Sequence, residues 1–301
     1  MPFKLTCRSK LMAGKTCLVT GATDGIGRVT ALELAHMGAD VVIVGRNQAK
    51  CAATAIDMRE ESGNASVEYL VADLSSQEEV RRLADEFKQR HQTLDVLVNN
   101  AGAIHLSRKN SADGIEMTFA LNHLSYFLLT NLLLNVLSAS APARVVNVAS
   151  SVHMKAKLDL FDVHAPRRYA GLRAYSRSKL CNVLFTYELA RRLDGTGITA
   201  NALHPGLVAS NILMNNGILG RFLNMVLGVK GISAEAGALT SVYAASSPEM
   251  EGVSGKYLDK KQVVRSSTCS YDEAHAAALW ELSASLTGIP ATSPVPSLSV
   301  G

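Results

Sequence analysis

The 301-residue sequence has no paired cysteines and no block of like charge. Its five cysteines stand singly and form no C-x-x-C pair, which argues against a disulfide framework or a structural zinc site. Reduced thiols in a reducing compartment fit this distribution better, so we predict a cytoplasmic protein without a bound metal. A formal net charge of +4 without a run of like charges does not indicate a nucleic-acid surface.

The sequence also lacks an apolar run long enough to cross a membrane. Its N-terminus is basic but has no long apolar segment, so it fits neither a signal peptide nor a membrane anchor. The richest apolar stretch, residues 126–137, is interrupted by Thr130, Asn131 and Asn135. We interpret this stretch as a helix of the core or of a subunit contact, and we predict a soluble protein with no transmembrane segment.

What the sequence does contain is an alternation of short apolar runs with longer helical patterns. The runs are too continuously apolar for a half-exposed antiparallel sheet and suit parallel strands that are covered on both faces. The alternation predicts an α/β single-domain Rossmann fold, with a doubly wound, mostly parallel sheet of seven strands and helices on both faces. The predicted strands are residues 16–21, 39–46, 67–74, 94–102, 143–150, 198–206 and, with a weaker pattern, 255–259.

No linker rich in proline or glycine divides the chain, and no internal repeat is present. We therefore predict an N-terminal extension over residues 1–12, one Rossmann domain over residues 13–286 and a disordered tail over residues 287–301. The tail, TGIPATSPVPSLSVG, has three prolines and no charged side chain, and such a composition cannot bury much surface.

The motif TGATDGIG, residues 20–27, follows the first predicted strand and precedes a helical pattern. A bare backbone at such a turn lets a ligand phosphate approach the main chain, where exposed N–H groups and the helix dipole favour its negative charge. The spacing is Gly21-x-x-x-Gly25-x-Gly27 rather than G-x-G-x-x-G. Taken alone, the motif leaves open a tight turn that binds no ligand.

Two further motifs accompany this turn. NNAG at residues 99–102 follows the fourth predicted strand, and Tyr175-x-x-x-Lys179 lies in a helical pattern. In this order and spacing, the three motifs resemble the short-chain dehydrogenase/reductase family over roughly residues 13–287. The segments NHLSYFLLTNLLL, VVNVASSVH and HPGLV are most similar to its retinol dehydrogenase-like branch. The resemblance implies an oxidoreductase that interconverts an alcohol and a carbonyl, on a lipophilic substrate.

The end of the second predicted strand bears on the choice of cofactor. Gly45 stands where an NAD site usually carries a carboxylate, and Arg46 follows it. Because an arginine fork suits a 2′-phosphate, we predict NADP(H) over NAD(H); a solvated surface arginine is the alternative. Asp24 argues mildly for NAD(H), although it also fits a helix cap.

The resemblance implies a larger set of cofactor contacts. For Asp73, a simple turn cap stays the alternative. The implied contacts are Gly21, Thr23, Asp24, Gly25, Ile26, Gly27, Arg46, Asn47, Asp73, Leu74, Asn100, Ala101, Gly102, Tyr175, Lys179, Pro205, Gly206, Val208 and Ser210.

Tyr175 and Lys179 are four residues apart and share one face of a helix. An ordinary phenol pKa of about 10 is too high for a base at neutral pH, so we expect Lys179 and the nicotinamide charge to lower the pKa of Tyr175. The resemblance assigns Ser150, with Ser151 as the second choice, as the hydroxyl that orients the substrate oxygen. It also assigns Asn122 as the residue that supports Lys179 through a water molecule. The alternative is that the Asn122 amide is simply buried and bonded to the backbone. The predicted catalytic set is Asn122, Ser150, Tyr175 and Lys179.

Two segments are predicted to shape the substrate pocket. The residues between Ser150 and Tyr175 form part of its wall, and we assign ordinary polar loop roles to His153 and His164 there. Residues 210–233 are rich in Leu, Ile and Met and predict a lid over a lipophilic substrate. A core helix and a surface resting on a membrane are the alternatives for this second segment.

Other functions stay open at the level of sequence. One is a catalytically silent NADP(H)-binding sensor or scaffold, against which the intact Tyr175 and Lys179 argue. Another is a specialised reductase of a biosynthetic pathway, which differs only in substrate. The resemblance also implies pairing through helices at about 113–138 and 174–193, and hence a homodimer or homotetramer.

Overall fold

The computed structural model describes residues 10–160, 169–206, 216 and 232–292. The strands in this part of the chain are β1 (Thr16–Thr20), β2 (Asp40–Gly45), β3 (Val67–Val71), β4 (Val96–Asn99), β5 (Ala143–Val148), β6 (Ile198–His204), β7 (Lys256–Asp259) and β8 (Gln262–Val264). The α-helices are α1 (Gly25–His36), α2 (Gln48–Ser62), α3 (Gln77–Arg90), α4 (Met117–Phe119), α5 (Ser125–Leu132), α6 (Leu134–Ala139), α7 (Gly171–Arg192), α8 (Ala234–Ser246) and α9 (Glu273–Thr287).

One sheet with the strand order β3-β2-β1-β4-β5-β6-β7-β8 forms the centre of the fold. Strands β1 to β7 pair in parallel, which confirms the predicted doubly wound sheet of seven parallel strands. The chain order reverses between β1 and β4, and ligands of such sheets bind in the crevice at that point.

Strand β8, which was not predicted from the sequence, pairs antiparallel with β7 at the edge of the sheet. Its residues are exposed, so they carry no alternating apolar pattern. The connecting turn places Lys260 and Lys261 at φ values of 51° and 64°, without the Asn-Gly pair that usually marks a two-residue hairpin. The edge of the sheet is therefore one short strand longer than predicted.

The sheet is covered by helices on both faces because successive strand side chains point in opposite directions. In β1, Leu18 packs in the cluster under α3, α5, α7 and α9. Cys17 and Val19 pack in the opposite cluster, under α1, α2 and α8. The strand ends are left accessible, and the predicted strands 94–102 and 198–206 indeed end early, at Asn99 and His204.

The apolar stretch 126–137 is a buried element of the core, as predicted, although it is not one continuous helix. A π-helical turn at Ala120–Leu124 leads into α5, and a break at Leu133 separates α5 from α6. Trp280 of α9 packs edge-on against Phe127 of α5 and stacks on Phe185 of α7, with ring centroids 4.9 and 5.9 Å apart. Among the described helices, none is long and apolar enough to cross a bilayer.

The chain end predicted as a disordered tail needs a correction over residues 287–292. Gly288 closes α9 in a left-handed conformation, and Ile289 and Ala291 pack against the core. The Ala291 carbonyl accepts hydrogen bonds from Trp280 Nε1 at 3.0 Å and from Arg192 at 2.8 Å. Composition alone could not reveal these long-range partners, and residues 293–301 lie outside the described residues.

Candidate active site

A cleft of about 950 Å³ opens at the carboxyl ends of β1, β2, β4 and β5. Every predicted cofactor residue in the described part of the chain lines this cleft, and so does Ser150. Val208, Ser210 and His164 lie outside the described residues. Of the predicted lid over 210–233, only Asn216, Ile232 and Ser233 are described.

The glycine turn lies between the end of β1 and the first turn of α1. Asp24 caps α1, since its carboxylate accepts a hydrogen bond of 2.8 Å from the Gly25 backbone nitrogen. A Cβ atom at position 27 would lie 2.4 Å from both the Asn100 side-chain nitrogen and the Gly21 carbonyl oxygen. Gly27 is therefore required by the packing of the turn, and the main chain forms this wall of the cleft.

The NNAG loop is tied to the glycine turn through Asn100 and Thr20. Asn100 Nδ2 donates to the carbonyl oxygens of Thr20 at 2.8 Å and Gly21 at 3.2 Å. In return, the Thr20 hydroxyl accepts from the backbone nitrogens of Asn100 and Ala101 at 2.9 and 3.1 Å. The two predicted nucleotide motifs thus form one rigid wall.

The loop after β2 brings together more charge than the sequence analysis assigned. Arg46 is exposed at the cleft, and Lys50 in the first turn of α2 also lines it. Lys50 Nζ lies 3.1 Å from the Asp24 carboxylate, and Asn47 caps α2 by accepting from the Lys50 backbone nitrogen at 2.9 Å. The Asp24 carboxylate, which argued mildly for NAD(H), is thus paired with Lys50. Lys50 was not predicted as a cleft residue, because no motif spacing indicates it.

Asp73 fits both roles considered for it. It lines the cleft, and its carboxylate also accepts hydrogen bonds from the Ser75 backbone nitrogen at 3.0 Å and hydroxyl at 2.7 Å. These bonds hold the turn after β3 and leave Leu74 buried beneath it.

Two of the predicted catalytic side chains, Tyr175 and Lys179, lie on the buried face of α7. Lys179 is 3% exposed and donates to the Val148 carbonyl oxygen at 2.8 Å. Its ammonium lies 5.7 Å from the centre of the Tyr175 ring and 5.6 Å from that of Tyr126. The Ser150 hydroxyl acts on the Tyr175 phenol and lowers its pKa. Ser150, Tyr175 and Lys179 therefore meet in one part of the cleft.

Burial dominates the protonation behaviour of this group. It raises the pKa of Tyr175 to about 12, and the hydrogen bond with Ser150 lowers that pKa by less. Burial also lowers the pKa of Lys179 to about 7. In the protein without its cofactor the pKa of Tyr175 is therefore raised, and a lowering by Lys179 together with the nicotinamide charge stays a prediction.

Asn122 lies in the π-helical turn and is fully buried. Its side-chain oxygen accepts from the Ala103 backbone nitrogen at 2.9 Å, and Nδ2 donates to the Ala103 carbonyl and the Ser178 hydroxyl at 3.0 Å each. The side chain thus makes the backbone-satisfied contacts that were the alternative interpretation. It anchors the loop beside Lys179, while its support of Lys179 through water stays a prediction.

Ser150, rather than Ser151, faces the cleft. Ser150 lines it at the end of β5, whereas Ser151 is exposed and its backbone nitrogen donates to His204 Nδ1 at 3.2 Å. His153, to which we assigned an ordinary polar role, is fully buried next to this turn.

Apolar side chains form part of the cleft wall, and Ile104 of this wall packs against Tyr175. The apolar wall also includes Leu121, Val152 and Leu172, and Leu172 is 65% exposed. The charged residues Asp24, Arg46, Lys50 and Asp73 follow β1, β2 and β3 in the chain, whereas Ser150 follows β5, and β4 lies between β1 and β5 in the sheet. Asn216 joins this apolar wall to the chain beyond β6, since its amide bonds the backbone of Leu106 and Ile104 at 2.7 Å each.

Comparison with known proteins gives a consistent set of relatives. The sequence profile of the short chain dehydrogenase family matches residues 15–217. Human retinol dehydrogenase 13 is 42% identical over 296 residues, which cover 95% of this chain and 89% of that protein. Human polyprenol dehydrogenase is 39% identical over 282 residues, which cover 91% of this chain and 86% of that protein.

Solved structures resemble the fold over similar spans. An uncharacterized protein from Mycobacterium paratuberculosis has a TM-score of 0.75 and 37% identity, covering 92% of this chain and 94% of that one. RhlG from Pseudomonas aeruginosa, solved as an NADP active-site complex, has a TM-score of 0.66 and 28% identity. That match covers 84% of this chain and 97% of RhlG.

Proposed function

The chain belongs to the short-chain dehydrogenase family of oxidoreductases, and from that premise we propose an NADP(H)-dependent enzyme that interconverts a lipophilic alcohol and its carbonyl. The meeting of Ser150, Tyr175 and Lys179 beside an apolar wall carries this proposal. When bound, the nicotinamide of NADP(H) supplies or accepts the hydride.

Tyr175 is the group that moves the proton. Because burial raises its pKa to about 12, the phenol is protonated at neutral pH and can donate to a carbonyl oxygen during reduction. The Ser150 hydroxyl donates a second hydrogen bond to the same oxygen as negative charge develops there. Oxidation of an alcohol requires the phenolate, which burial disfavours and which the positive charge of the oxidised nicotinamide would favour.

The crowding at position 45 supports NADP(H) over NAD(H). A Cβ atom on Gly45 would lie 2.6 Å from Thr23 Cγ2 and 2.8 Å from Cys51 Sγ, so no carboxylate can stand there to bind the ribose hydroxyls. Arg46 and Lys50 instead offer two cations to a 2′-phosphate. The ratio of kcat/KM for NADPH and NADH tests this preference, and a higher value for NADH overturns it.

The lipophilic substrate is supported by the apolar lining around Tyr175. Two relatives carry names that state long apolar alcohols, retinol and polyprenol, as their substrates. For this chain we expect kcat/KM to rise with chain length across a series of straight-chain aldehydes, because each buried methylene adds about 0.8 kcal/mol of binding. A flat series would contradict an apolar pocket.

The central experiment is NADPH consumption with a panel of aldehydes and ketones, run beside Tyr175→Phe. Loss of the phenol proton should lower kcat by about 10²–10⁴-fold and leave NADPH binding in place. Tyr243→Phe on α8 is the matched control, because it removes a hydroxyl that donates only to the exposed Glu249 carboxylate. This variant should keep full activity. Tight NADPH binding with no turnover of any carbonyl would instead favour the silent NADP(H)-binding protein.

Assembly and location are further parts of the proposal. We propose that the chain forms a homodimer or homotetramer. The contact between subunits cannot use the side chains of Phe127 and Phe185, because Trp280 of α9 covers both within one subunit. Light scattering of the full chain measures the mass directly. A cytoplasmic location is supported by the free cysteines at positions 17, 51, 181 and 269, and cell fractionation tests it.

A further inference from the structure

The peptide group that joins Ser150 to Ser151 is held at both of its polar atoms by histidines. The carbonyl oxygen of Ser150 lies 2.6 Å from His153 Nδ1. The N–H of Ser151 donates to His204 Nδ1 at 3.2 Å. His153 follows on the short 3₁₀ turn Ser151–Lys155, whereas His204 ends β6, directly before Pro205. Two separate elements therefore converge on the main chain of the proposed oxyanion donor.

The partners of His153 fix its protonation state. Its Nε2 accepts a hydrogen bond of 3.1 Å from the backbone nitrogen of Ser267, and a backbone N–H can only donate. Its Nδ1 faces a carbonyl oxygen, which can only accept. The contacts on both sides are satisfied together only by the neutral ring with its proton on Nδ1.

The surroundings of His153 favour that neutral form. The side chain is fully buried, and burial lowers its pKa, against a smaller opposite effect of the Ser150 carbonyl. Tyr257 of β7 packs on the ring at 4.8 Å, and His204 of β6 is the other titratable group that faces it. Asp259 and Lys260 act on His204, whose pKa burial also lowers.

We infer that neutral His153 is a positioning residue, which clamps the Ser150 peptide to Ser267 and so aims the Ser150 hydroxyl at the substrate oxygen. This inference rests on the proposed function, because it assigns a role through Ser150. It also replaces the ordinary polar loop role that the sequence suggested for His153.

The clamp predicts a specific dependence on pH. A proton added to Nε2 would face the N–H of Ser267, so the bond between them would be lost and a charge would be buried. Since the folded pKa of His153 lies below the ordinary value of 6.5, the clamp is intact at neutral pH, and the unfolded chain takes up the proton first as pH falls. Stability should therefore decline below about pH 6.5, whereas kcat should decline only as pH falls through the lower folded pKa.

Two substitutions separate positioning from simple packing. His153→Phe keeps a flat ring but removes both hydrogen bonds, and we expect kcat to fall on the order of 10- to 100-fold with little change in KM for NADPH. His153→Asn keeps an amide donor near the Ser150 carbonyl and cannot be protonated in this range. We expect it to retain kcat within about threefold at neutral pH and to flatten the acidic decline.

His275→Gln is the matched control, because His275 is half-exposed beside Asp272 at the start of α9. It should keep both the wild-type kcat and the wild-type acidic decline. The inference is overturned if His153→Phe keeps kcat within twofold, or if His153→Asn shows the same acidic decline as the wild type. Should His153→Phe not fold, the pH profile of His153→Asn still decides.

A readout without turnover keeps this inference separate from the proposed function. Nitrogen-15 NMR of the imidazole in the full chain, assigned by loss of the signal in His153→Asn, should report a proton on Nδ1 at neutral pH. The protein could reduce no carbonyl and yet have this tautomer, with a Tm that falls further in acid for the wild type than for His153→Asn. That result would support the clamp and contradict the proposed enzymatic function. A protonated ring or an Nε2–H tautomer would overturn the clamp.

Discussion

The two ends of the cleft are built from different materials. At the nucleotide end, glycines and main-chain atoms make the wall, and the Asn100 and Thr20 side chains lock one turn to the other. At the end proposed for catalysis, two buried ionisable side chains lie beside an apolar wall, and burial shifts the pKa values of both, Tyr175 and Lys179. Function at the nucleotide end should therefore depend on the size of the side chains, and function at the catalytic end should depend on pH.

Gly27→Ala is the largest test of that contrast. The added methyl would lie 2.4 Å from Asn100 and Gly21 atoms, so the turn must open and should lose at least about tenfold in NADPH affinity, with about 1–3 kcal/mol of stability. The loss should be the same across pH. Gly63→Asn serves as the control, because that left-handed position has open space around it and asparagine tolerates the conformation.

Lys179→Met tests the other end through the stability of the protein without cofactor. The folded pKa of Lys179 is about 7, below its ordinary value of 10.5, so the unfolded chain binds more protons between those values. Wild-type stability should therefore rise by about 1–3 kcal/mol between about pH 7 and 9. The methionine variant should lack that rise in a series of urea melts, and an equal rise in both proteins would refute the assignment.

Arg46→Ala and Lys50→Ala make a smaller change at the nucleotide end, where charge is expected to matter only for the 2′-phosphate. Each variant should lower kcat/KM for NADPH by about tenfold, equal to about 1.4 kcal/mol, and leave the value for NADH unchanged. The effect should shrink at high salt because both side chains are exposed. Lys88→Ala is the control, because Lys88 lies on α3 and pairs with Asp85. It should change kcat/KM for neither NADPH nor NADH.

The same contrast explains how much of the site could be predicted from the sequence. The glycine turn, NNAG and the Tyr175–Lys179 pair are local patterns, and all the cofactor residues predicted from them line one cleft. The parallel strands were readable because burial on both faces leaves continuous apolar runs. By contrast, the contact between His153 and Ser267 spans 114 residues, and no local spacing announces it.

The errors share a physical cause, which is that burial and distant partners are set by the fold. The raised pKa of Tyr175 in the protein without cofactor was not foreseen, because the sequence shows a lysine nearby but not the loss of water around the phenol. Ile289 and Ala291 are held by Trp280 and the core, which a tail composition cannot reveal. Strand β8 has no buried side chain to mark it.

The packing around Gly45 also constrains how cofactor preference can change by mutation. A single exchange to aspartate or glutamate would drive its first side-chain carbon into Thr23 and Cys51. A change toward NAD(H) at this position must first replace Thr23 and Cys51 by smaller residues. Neither replacement improves NAD(H) binding until the acidic residue is also present. The proposed preference for NADP(H) should therefore be hard to reverse at this position, and directed evolution by single substitutions should find other positions first.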